Sequence, residues 1–306
     1  MPEAALGPTV AVVIPCHNAE TTIGRTIRSV LAQGVAPGAI IVVDDGSGDG
    51  SGTVAEGFGV RVLTGANGGA CAARNRGLAG TDADYVMFLD ADDELAGDHL
   101  LHGVQVAQTQ GADLVVSPMI LRTDLGVIEA RDRLVGDLGC ETLFRDWLLG
   151  IQVNPSAMLW RREFVARIGG WDERVLIQQD GELAMRAFLK GAVVARNPRG
   201  YGIYYVRNPA SLAASKSEAK EGNYVETLAR LLAMTRGTAF ADKTDSLEDA
   251  LYRTARMAFI RGWPQVGRQA LDVLAAIGPV RHRGTRAHRM VAGLLGLERK
   301  VRLWGA

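Results

Sequence analysis

Tyr85-Val86-Met87-Phe88-Leu89-Asp90-Ala91-Asp92-Asp93 is an apolar run of strand character that stops abruptly at three carboxylates. A short apolar run bounded by polar residues predicts a buried strand. Carboxylates at its end repel one another and resist desolvation, which is typical of a site for a hard divalent cation. In an extended chain Asp90 and Asp92 point the same way and Asp93 faces elsewhere. A solvated acidic turn is the alternative interpretation.

The residues before this stretch alternate between apolar runs and helical periodicity. The runs that predict buried strands lie at 10–14, 40–43 and 60–63, ahead of the fourth at 85–89. Between them, Ile23, Ile27 and Val30 recur at the spacing of one helix face, and residues 71–78 predict a second helix. This alternation predicts an α/β fold with a mainly parallel central sheet flanked by helices.

Polar clusters directly follow three of these predicted strands. They are Pro15-Cys16-His17-Asn18, Asp44-Asp45-Gly46-Ser47 and Asp90-Ala91-Asp92-Asp93. In open parallel sheets, ligands bind beyond the carboxyl ends of the strands. Three such clusters at one edge of the sheet favour a ligand site over a set of solvated turns.

Length and composition suit an enzyme and exclude several other classes of protein. The chain has 306 residues, 47% of them hydrophobic, which is enough for a large core. Its formal net charge of zero argues against a dedicated nucleic-acid binder. Three widely spaced cysteines suit a reducing compartment. With no leader-like segment in residues 1–8 and no apolar span of about 18 residues, we expect a cytoplasmic protein, at most peripheral to a membrane.

An ordered series of motifs resembles the family 2 glycosyltransferases. Its members in this chain are Val13-Ile14-Pro15 with Asn18, Val43-Asp44-Asp45-Gly46-Ser47, Asn67-Gly68-Gly69 with Ala73-Arg74-Asn75-Arg76-Gly77, Phe88-Leu89-Asp90-Ala91-Asp92-Asp93, Gly169-Gly170-Trp171-Asp172-Glu173, and Gln179-Asp180 followed by Leu183 and Arg186. The resemblance covers roughly residues 9–212. It implies a GT-A catalytic domain over 1–212, with a nucleotide-sugar-binding half at 9–118 and an acceptor-binding half at 119–212.

The resemblance also implies the reaction and its cofactor. A sugar would move, with inversion, from a nucleotide diphosphate donor, with uridine favoured as the base, to a hydroxyl of a saccharide or lipid-linked acceptor. Such an enzyme would serve polysaccharide biosynthesis for the cell envelope. Asp92 is the implied ligand of Mg²⁺ or Mn²⁺, Asp90 is a second metal contact that also orients the donor, and Ala91 lies between them in the donor site. The cation is needed because the departing diphosphate gains negative charge.

The base of the donor is assigned by the same resemblance. In the family, the aspartate pair after the second strand meets the uracil ring, which makes Asp45 the first choice and Asp44 the reserve. A carboxylate suits this position because it can accept the imide proton. Pro15 and Asn18 are implied to line the base pocket, and Asn18 has the alternative of capping the following helix.

Asn67 and Arg74 complete the predicted donor site. Asn67 begins the Asn-Gly-Gly motif that matches the family. Arg74 is expected to reach a phosphate or to clamp one of the aspartates. The structural alternative is that Arg74 only ties its helix to Asp90.

Asp180 is the candidate general base. An inverting transfer needs a base on the face of the sugar opposite the leaving group. Apolar residues at 183, 184, 187 and 188 form one face of a helix ended by Gly191, which puts Asp180 in the first turn, where the helix dipole favours the ionised carboxylate. An acid that only stabilises its helix is the alternative. Gln179 stands where the family often has a glutamate.

Another departure from the family lies near the end of the predicted catalytic domain. Many relatives carry a histidine there that can reach the metal, and this chain has Asn208 at the corresponding position. Arg207 is the neighbouring residue that could instead neutralise the diphosphate.

Residues 213–306 predict a helical appendage with a basic tail. Between 281 and 306 the chain has seven lysines or arginines and one acid, Glu298, interleaved with apolar residues. Such a mixture suits peripheral contact with an anionic bilayer. A helix packed on its own domain, or on the second subunit of a homodimer, is the alternative.

Two other functions fit parts of the pattern. A nucleotidyltransferase can share a similar fold, but it usually has a Gly-rich signature directly after its first strand, where this chain has Pro15-Cys16-His17-Asn18. A non-catalytic protein that binds a nucleotide sugar on the same scaffold would keep the donor site and turn nothing over.

Overall fold

The computed structural model describes residues 8–123, 126–131, 138–149, 153–206, 217–241, 244–282 and 285–304. The strands are β1 (Val10–Cys16), β2 (Ile40–Asp44), β3 (Arg61–Thr64), β4 (Tyr85–Phe88), β5 (Glu94–Gly97), β6 (Leu114–Val116), β7 (Met119–Thr123), β8 (Gly126–Arg131), β9 (Met158–Arg161), β10 (Val194–Arg196) and β11 (Gly200–Tyr205). The helices are α1 (Ile23–Leu31), α2 (Ser51–Glu56), α3 (Ala70–Ala79), α4 (Leu100–Gln110), α5 (Cys140–Leu148), α6 (Arg162–Arg167), α7 (Gln179–Leu189), α8 (Glu218–Thr235), α9 (Asp245–Ile260), α10 (Pro264–Ala275), α11 (Arg286–Leu295) and α12 (Leu297–Trp304).

A seven-stranded sheet in the order β10-β6-β9-β4-β1-β2-β3 carries the polar clusters at one edge. β1 lies between β4 and β2 and runs parallel to both, while β9 runs antiparallel to its neighbours β4 and β6. Because β1, β2 and β4 are parallel, their carboxyl ends meet at the same edge. The predicted α/β fold with a mainly parallel sheet is confirmed.

The core explains why the apolar runs form strands. Val12, Val13 and Ile14 are fully buried, because helices cover both faces of the sheet, and a strand buried on both faces needs a continuous apolar sequence. A second, four-stranded sheet has the order β5-β11-β7-β8. Its strand β5 directly follows the acidic loop, so the two ends of that loop belong to different sheets.

The helix predicted around Ile23 is present as α1, but Asn18 does not cap it. The residue before α1 is Thr22, and no side chain caps the first turn. Asn18 instead has a positive φ of 51°, and its side-chain oxygen accepts a hydrogen bond from the Gly48 amide at 2.8 Å. The cap alternative is therefore wrong, because the loop between β1 and α1 folds toward the end of β2.

The chain forms two compact units. The first comprises Met1–Leu143, Ile151–Glu173 and Gln179–Asn208, and the second comprises Phe144–Gly150, Arg174–Gln178 and Pro209–Ala306. The second unit contains helices α8 to α12, as the sequence predicted, with Leu228, Leu251 and Ala270 in its core. Across the described ranges, every helix is too short or too polar to span a lipid bilayer.

Candidate active site

The loops after β1, β2 and β3 meet at the carboxyl edge of the sheet. The His17 ring donates from Nδ1 to the Asp45 carbonyl oxygen at 3.0 Å, and its Nε2 lies 3.1 Å from the Asn18 amide nitrogen. The Asn67 side chain approaches the same ring at 3.4 Å. Sequence analysis missed His17 as the residue that joins these loops, although it lies between Pro15 and Asn18 in the first polar cluster.

Asp45 is buried at the centre of this arrangement, with 3% of its surface exposed. Its carboxylate accepts hydrogen bonds from the amides of Gly68 and Gly69 at 3.0 and 2.7 Å, and it pairs with Arg76. The Arg76 guanidinium lies where a Cβ at Gly65 would stand, so a larger residue there would require Arg76 to shift away from its present position. The chain itself thus supplies three donors to this carboxylate.

Asp44 and Pro15 lie beside Asp45 with more contact to solvent. Asp44 is half-buried, and its Oδ1 accepts a hydrogen bond from the Ser47 amide at 2.9 Å. Pro15 is half-buried in β1, where it pairs with Val43. The structure thus brings together the four residues predicted for the base end of the donor, Pro15, Asn18, Asp44 and Asp45, and it places Asn67 of the predicted donor site beside them.

Arg74 connects the acidic loop to the start of α7. The side chain is 6% exposed, and its guanidinium donates to Asp90 Oδ1 at 2.7 Å and to Gln179 Oε1 at 3.0 Å. The same guanidinium lies 4.3 Å from the centre of the Trp171 ring, a cation–π contact. The Arg74 guanidinium therefore links Asp90 and Gln179, which are 89 residues apart in the sequence.

Asp180 follows Gln179 in the first turn of α7, as predicted. Burial raises the pKa of its carboxyl, the positive charge of Arg74 lowers it, and the negative charge of Asp90 raises it again. The net direction is upward from the ordinary value, so the expectation that the start of the helix would favour the ionised form is wrong, because burial outweighs it. A carboxylate with a raised pKa holds a proton more readily, which is the property a general base needs.

Asp93 is the most buried carboxylate of the acidic loop, at 1% exposure. Burial, followed by the charges of Asp90 and Asp92, raises its pKa well above the ordinary value. Its Oδ1 accepts from the Tyr205 amide at 3.2 Å, whereas its Oδ2 is buried without a hydrogen-bond partner. Ala91, between Asp90 and Asp92, is also buried.

Arg25 contacts the backbone of the acidic loop. Its guanidinium donates to the Asp92 carbonyl oxygen at 2.8 Å, pairs with Glu94 at 2.7 Å and lies 3.7 Å from the centre of the Tyr205 ring. The Tyr205 hydroxyl donates to the same Glu94 carboxylate at 2.6 Å. Sequence analysis missed this support, because Arg25 and Tyr205 come from opposite ends of the first unit and their spacing carries no signal.

The acidic loop fits a divalent cation that shares its ligands with a diphosphate. Within the ranges the structure describes, no three His, Cys, Asp or Glu side chains form a ready metal cage. Mg²⁺ and Mn²⁺ do not need one, because they bind through one or two carboxylates together with phosphate oxygens and water. The buried, unpartnered Oδ2 of Asp93 and the crowding of Asp90 and Asp92 around it are what a nearby cation would relieve. Arg207 and Asn208 lie outside the described residues.

The family model for glycosyl transferase family 2 matches residues 11–168, which is more than half of the chain. This chain belongs to glycosyl transferase family 2. The matched range includes β1 except Val10, all of β2 to β4, the Asp44-Asp45 pair and the acidic loop. It ends before α7 and Asp180.

Two relatives illustrate how far the sequence similarity extends. The Bacillus subtilis glycosyltransferase EpsJ is 34% identical over 113 residues, which are 35% of this chain and 33% of EpsJ. The amylovoran biosynthesis glycosyltransferase AmsB of Erwinia amylovora is 30% identical over 197 residues, 58% of this chain and 63% of AmsB. The chain thus spans about a third of EpsJ and less than two thirds of AmsB.

Solved structures share the fold at low sequence identity. Residues 1–349 of S. aureus TarS in complex with UDP-GlcNAc superimpose with a TM-score of 0.69 at 16% identity, covering 88% of this chain and 80% of that one. The same part of TarS in complex with UDP gives 0.67 over 96% and 91% of the two chains. The predicted GT-A fold is confirmed for this member of the family.

Proposed function

We propose that this chain is an inverting glycosyltransferase that uses a nucleotide diphosphate sugar, with UDP as the favoured carrier. The observation that carries the proposal is the Arg74 bridge, which holds Asp90 of the acidic loop and Gln179, the neighbour of Asp180, on one guanidinium. A donor-binding carboxylate and a candidate base are thereby fixed around one centre. Membership of the family and the UDP-GlcNAc bound to TarS support this assignment.

The loops after β1, β2 and β3 hold the base in this proposal. Asp45 has acceptor capacity for about four donors and receives three from the chain, so an imide N–H would complete the set. The three hydrogen-bond donors of the chain fix the orientation of the carboxylate before the nucleotide sugar binds. Asp44 is the reserve contact, and Pro15, Asn18 and Asn67 shape the pocket around the ring.

The acidic loop holds the diphosphate end. Asp92 and Asp90 are the proposed ligands of Mg²⁺ or Mn²⁺, which when bound neutralises charge on the departing phosphate. Asp90 keeps one oxygen outside its contact with Arg74 and can also orient the donor. Arg25 fixes the Asp92 backbone, so the carboxylate is presented from a rigid loop.

Asp180 accepts the proton of the attacking hydroxyl. Its pKa is raised, mainly by burial, and a raised pKa makes the carboxylate a stronger base toward that proton. Gln179 is neutral, so it does not offset the positive charge that Arg74 places near Asp90 and Asp180. A glutamate at position 179 would instead neutralise part of that field.

The proposed acceptor is a hydroxyl of a saccharide or of a lipid-linked carrier, within cell-envelope polysaccharide biosynthesis. The name of AmsB supports this setting. The enzyme would act in the cytoplasm or at the cytoplasmic face of the membrane, as a monomer or homodimer. We place no nucleic acid among its partners, given the net charge of zero.

The direct experiment is a screen of nucleotide sugars by thermal shift and by release of the nucleotide, with Asp180→Asn beside the wild type. We expect a UDP-sugar to stabilise both proteins, and turnover by the variant to fall by about 100- to 10,000-fold. Wild-type turnover by Asp180→Asn would remove Asp180 from the mechanism. A chain that binds the donor and transfers nothing to any acceptor or water would be a binding protein, and transfer of the nucleotidyl group would indicate a nucleotidyltransferase.

A further inference from the structure

Helix α11 has two faces of different character. Its Ala292 is fully buried, and in the following helix α12 Leu297 and Val301 are buried in the same unit. On the opposite side of α11, Met290 is 62% exposed and Leu294 is 78% exposed. These two residues are four positions apart, so they form one stripe along the helix. α11 thus packs with one face and offers apolar side chains to the solvent with the other.

Arginines flank this stripe. Arg286 and Arg289 are exposed on α11. Together with Met290 and Leu294 they define what we call the α11 surface. The neighbouring helix α12 adds exposed Arg299, Arg302 and Leu303.

The acid nearest in sequence does not neutralise these arginines. Glu298 is the only carboxylate among residues 285–304, and it accepts hydrogen bonds from Arg268 at 3.0 Å and from Arg302 at 2.5 Å. Residues 285–304 therefore carry five lysines or arginines against this one carboxylate, and Arg286 and Arg289 are two of the five. The pKa of His288, on the same helix, is lowered by burial and further by the charges of Lys300 and Arg256, in keeping with a positive local potential.

We propose that the α11 surface binds the anionic face of a lipid bilayer. Apolar side chains flanked by arginines suit the boundary between headgroups and acyl chains, where the apolar groups insert and the cations meet lipid phosphates. The charges make a second copy of the chain a poor occupant, because a symmetric dimer across this face would bring arginine against arginine. Two exposed apolar side chains are also few for a stable dimer, which buries roughly 800 Å² on each partner.

This inference goes beyond glycosyl transfer and does not depend on it. Attachment through α11 would let the chain work on acceptors that are themselves held in the membrane. The contact would weaken as the salt concentration rises.

The test is co-sedimentation of the full chain with vesicles of phosphatidylcholine alone and with equal parts of phosphatidylcholine and phosphatidylglycerol. We expect binding to the anionic vesicles only. The double variant Arg286→Gln/Arg289→Gln should partition roughly 30-fold less, because each basic residue near an anionic surface contributes about a factor of five. Met290→Ser/Leu294→Ser should lower partitioning by about tenfold or more, through loss of apolar burial.

Matched controls separate the α11 surface from general exposure. Leu101→Ser removes an apolar side chain that is 63% exposed in the first unit, and Arg236→Gln removes an exposed arginine after α8. Both should leave vesicle binding unchanged, and all variants should keep the wild-type unfolding temperature because the altered side chains are exposed. Donor binding measured in parallel keeps this result apart from the proposed activity.

Three results would overturn the inference. The first is equal binding to neutral and anionic vesicles, and the second is wild-type binding by both α11 double variants. The third is a chain that does not bind vesicles but forms a dimer in sedimentation velocity, with Leu294→Ser dissociating that dimer. The last would assign the α11 surface to a second copy.

Discussion

Two buried carboxylates near the same edge of the central sheet are satisfied in different ways. Asp45, at the end of β2, receives two backbone amides and the Arg76 guanidinium. Asp93, beyond β4, receives one backbone amide, has one oxygen without a partner, and has a pKa raised by burial and by Asp90 and Asp92. The chain's own donors thus satisfy most of the carboxylate at the β2 end, whereas the carboxylate at the β4 end keeps one oxygen buried without a hydrogen-bond partner.

The largest expected effect is on catalysis, at the β4 end. Asp92→Asn should lower turnover by about 100- to 1,000-fold, because it weakens the electrostatic stabilisation of the departing diphosphate. Its unfolding midpoint should stay near that of the wild type, since the half-buried Asp92 side chain lies outside the core. Steady-state kinetics with the best donor and urea unfolding measure the two quantities. Full turnover in this variant would take Asp92 out of the donor site.

The β2 end should show the reverse pattern, with the loss falling on stability. Asp45→Ala leaves the Gly68 and Gly69 amides and the Arg76 guanidinium without their acceptor, so we expect a loss of about 2–3 kcal/mol in the free energy of unfolding. Urea denaturation is the measurement. A change below about 0.5 kcal/mol would mean that the Asp45 network does not stabilise the fold and would erase the contrast with Asp93.

Asp93→Asn should change how stability depends on pH in protein treated with chelator. An acid whose pKa is higher in the folded than in the unfolded chain costs stability as the pH rises above about 4, its unfolded value. Because the variant lacks this charge, its free energy of unfolding should rise relative to that of the wild type between about pH 4 and the raised folded pKa. Above that pKa the difference in free energy should stay constant. Urea midpoints across this range follow the effect. A difference independent of pH would mean that Asp93 is not held protonated.

The smallest effect is expected at Asp44. Its Oδ1 accepts one amide hydrogen bond within its own loop, which the side-chain oxygen of asparagine can also accept. Asp44→Asn should therefore change the free energy of unfolding by less than about 0.5 kcal/mol, and donor binding less than Asp45→Asn does. Calorimetry with UDP compares the two variants. If Asp44→Asn weakened UDP binding more than Asp45→Asn did, Asp44 would be the main contact to the base and Asp45 the reserve.

The sequence predicted those parts of the fold that rest on local patterns. Strands β1, β2 and β4 were predictable because a strand covered on both faces must be continuously apolar. The place of Asp180 in the first turn of α7 followed from the apolar period of residues 183–188. The acidic clusters directly follow these apolar runs, so they were predicted to lie at strand ends. Because the strands were predicted to be parallel, the clusters were predicted to share one edge of the sheet.

Long-range features were not predictable from spacing. β9 enters the sheet antiparallel between β4 and β6 from a point about 70 residues beyond β4, and nothing local marks that pairing. The support of the acidic loop by Arg25 and Tyr205 likewise depends on tertiary contacts. The cap alternative for Asn18 could not be dismissed from the sequence, because its left-handed backbone conformation depends on the loop after β2.

The most direct measurement is calorimetric titration of UDP into the wild type and into Asp92→Asn, with Mn²⁺ and with chelator. We predict that Mn²⁺ strengthens binding to the wild type by tenfold or more, and that the variant loses this gain while keeping the weaker, metal-free affinity. UDP binding of equal strength with and without Mn²⁺ in the wild type would contradict the assignment of the β4 end as the place where a cation meets the diphosphate.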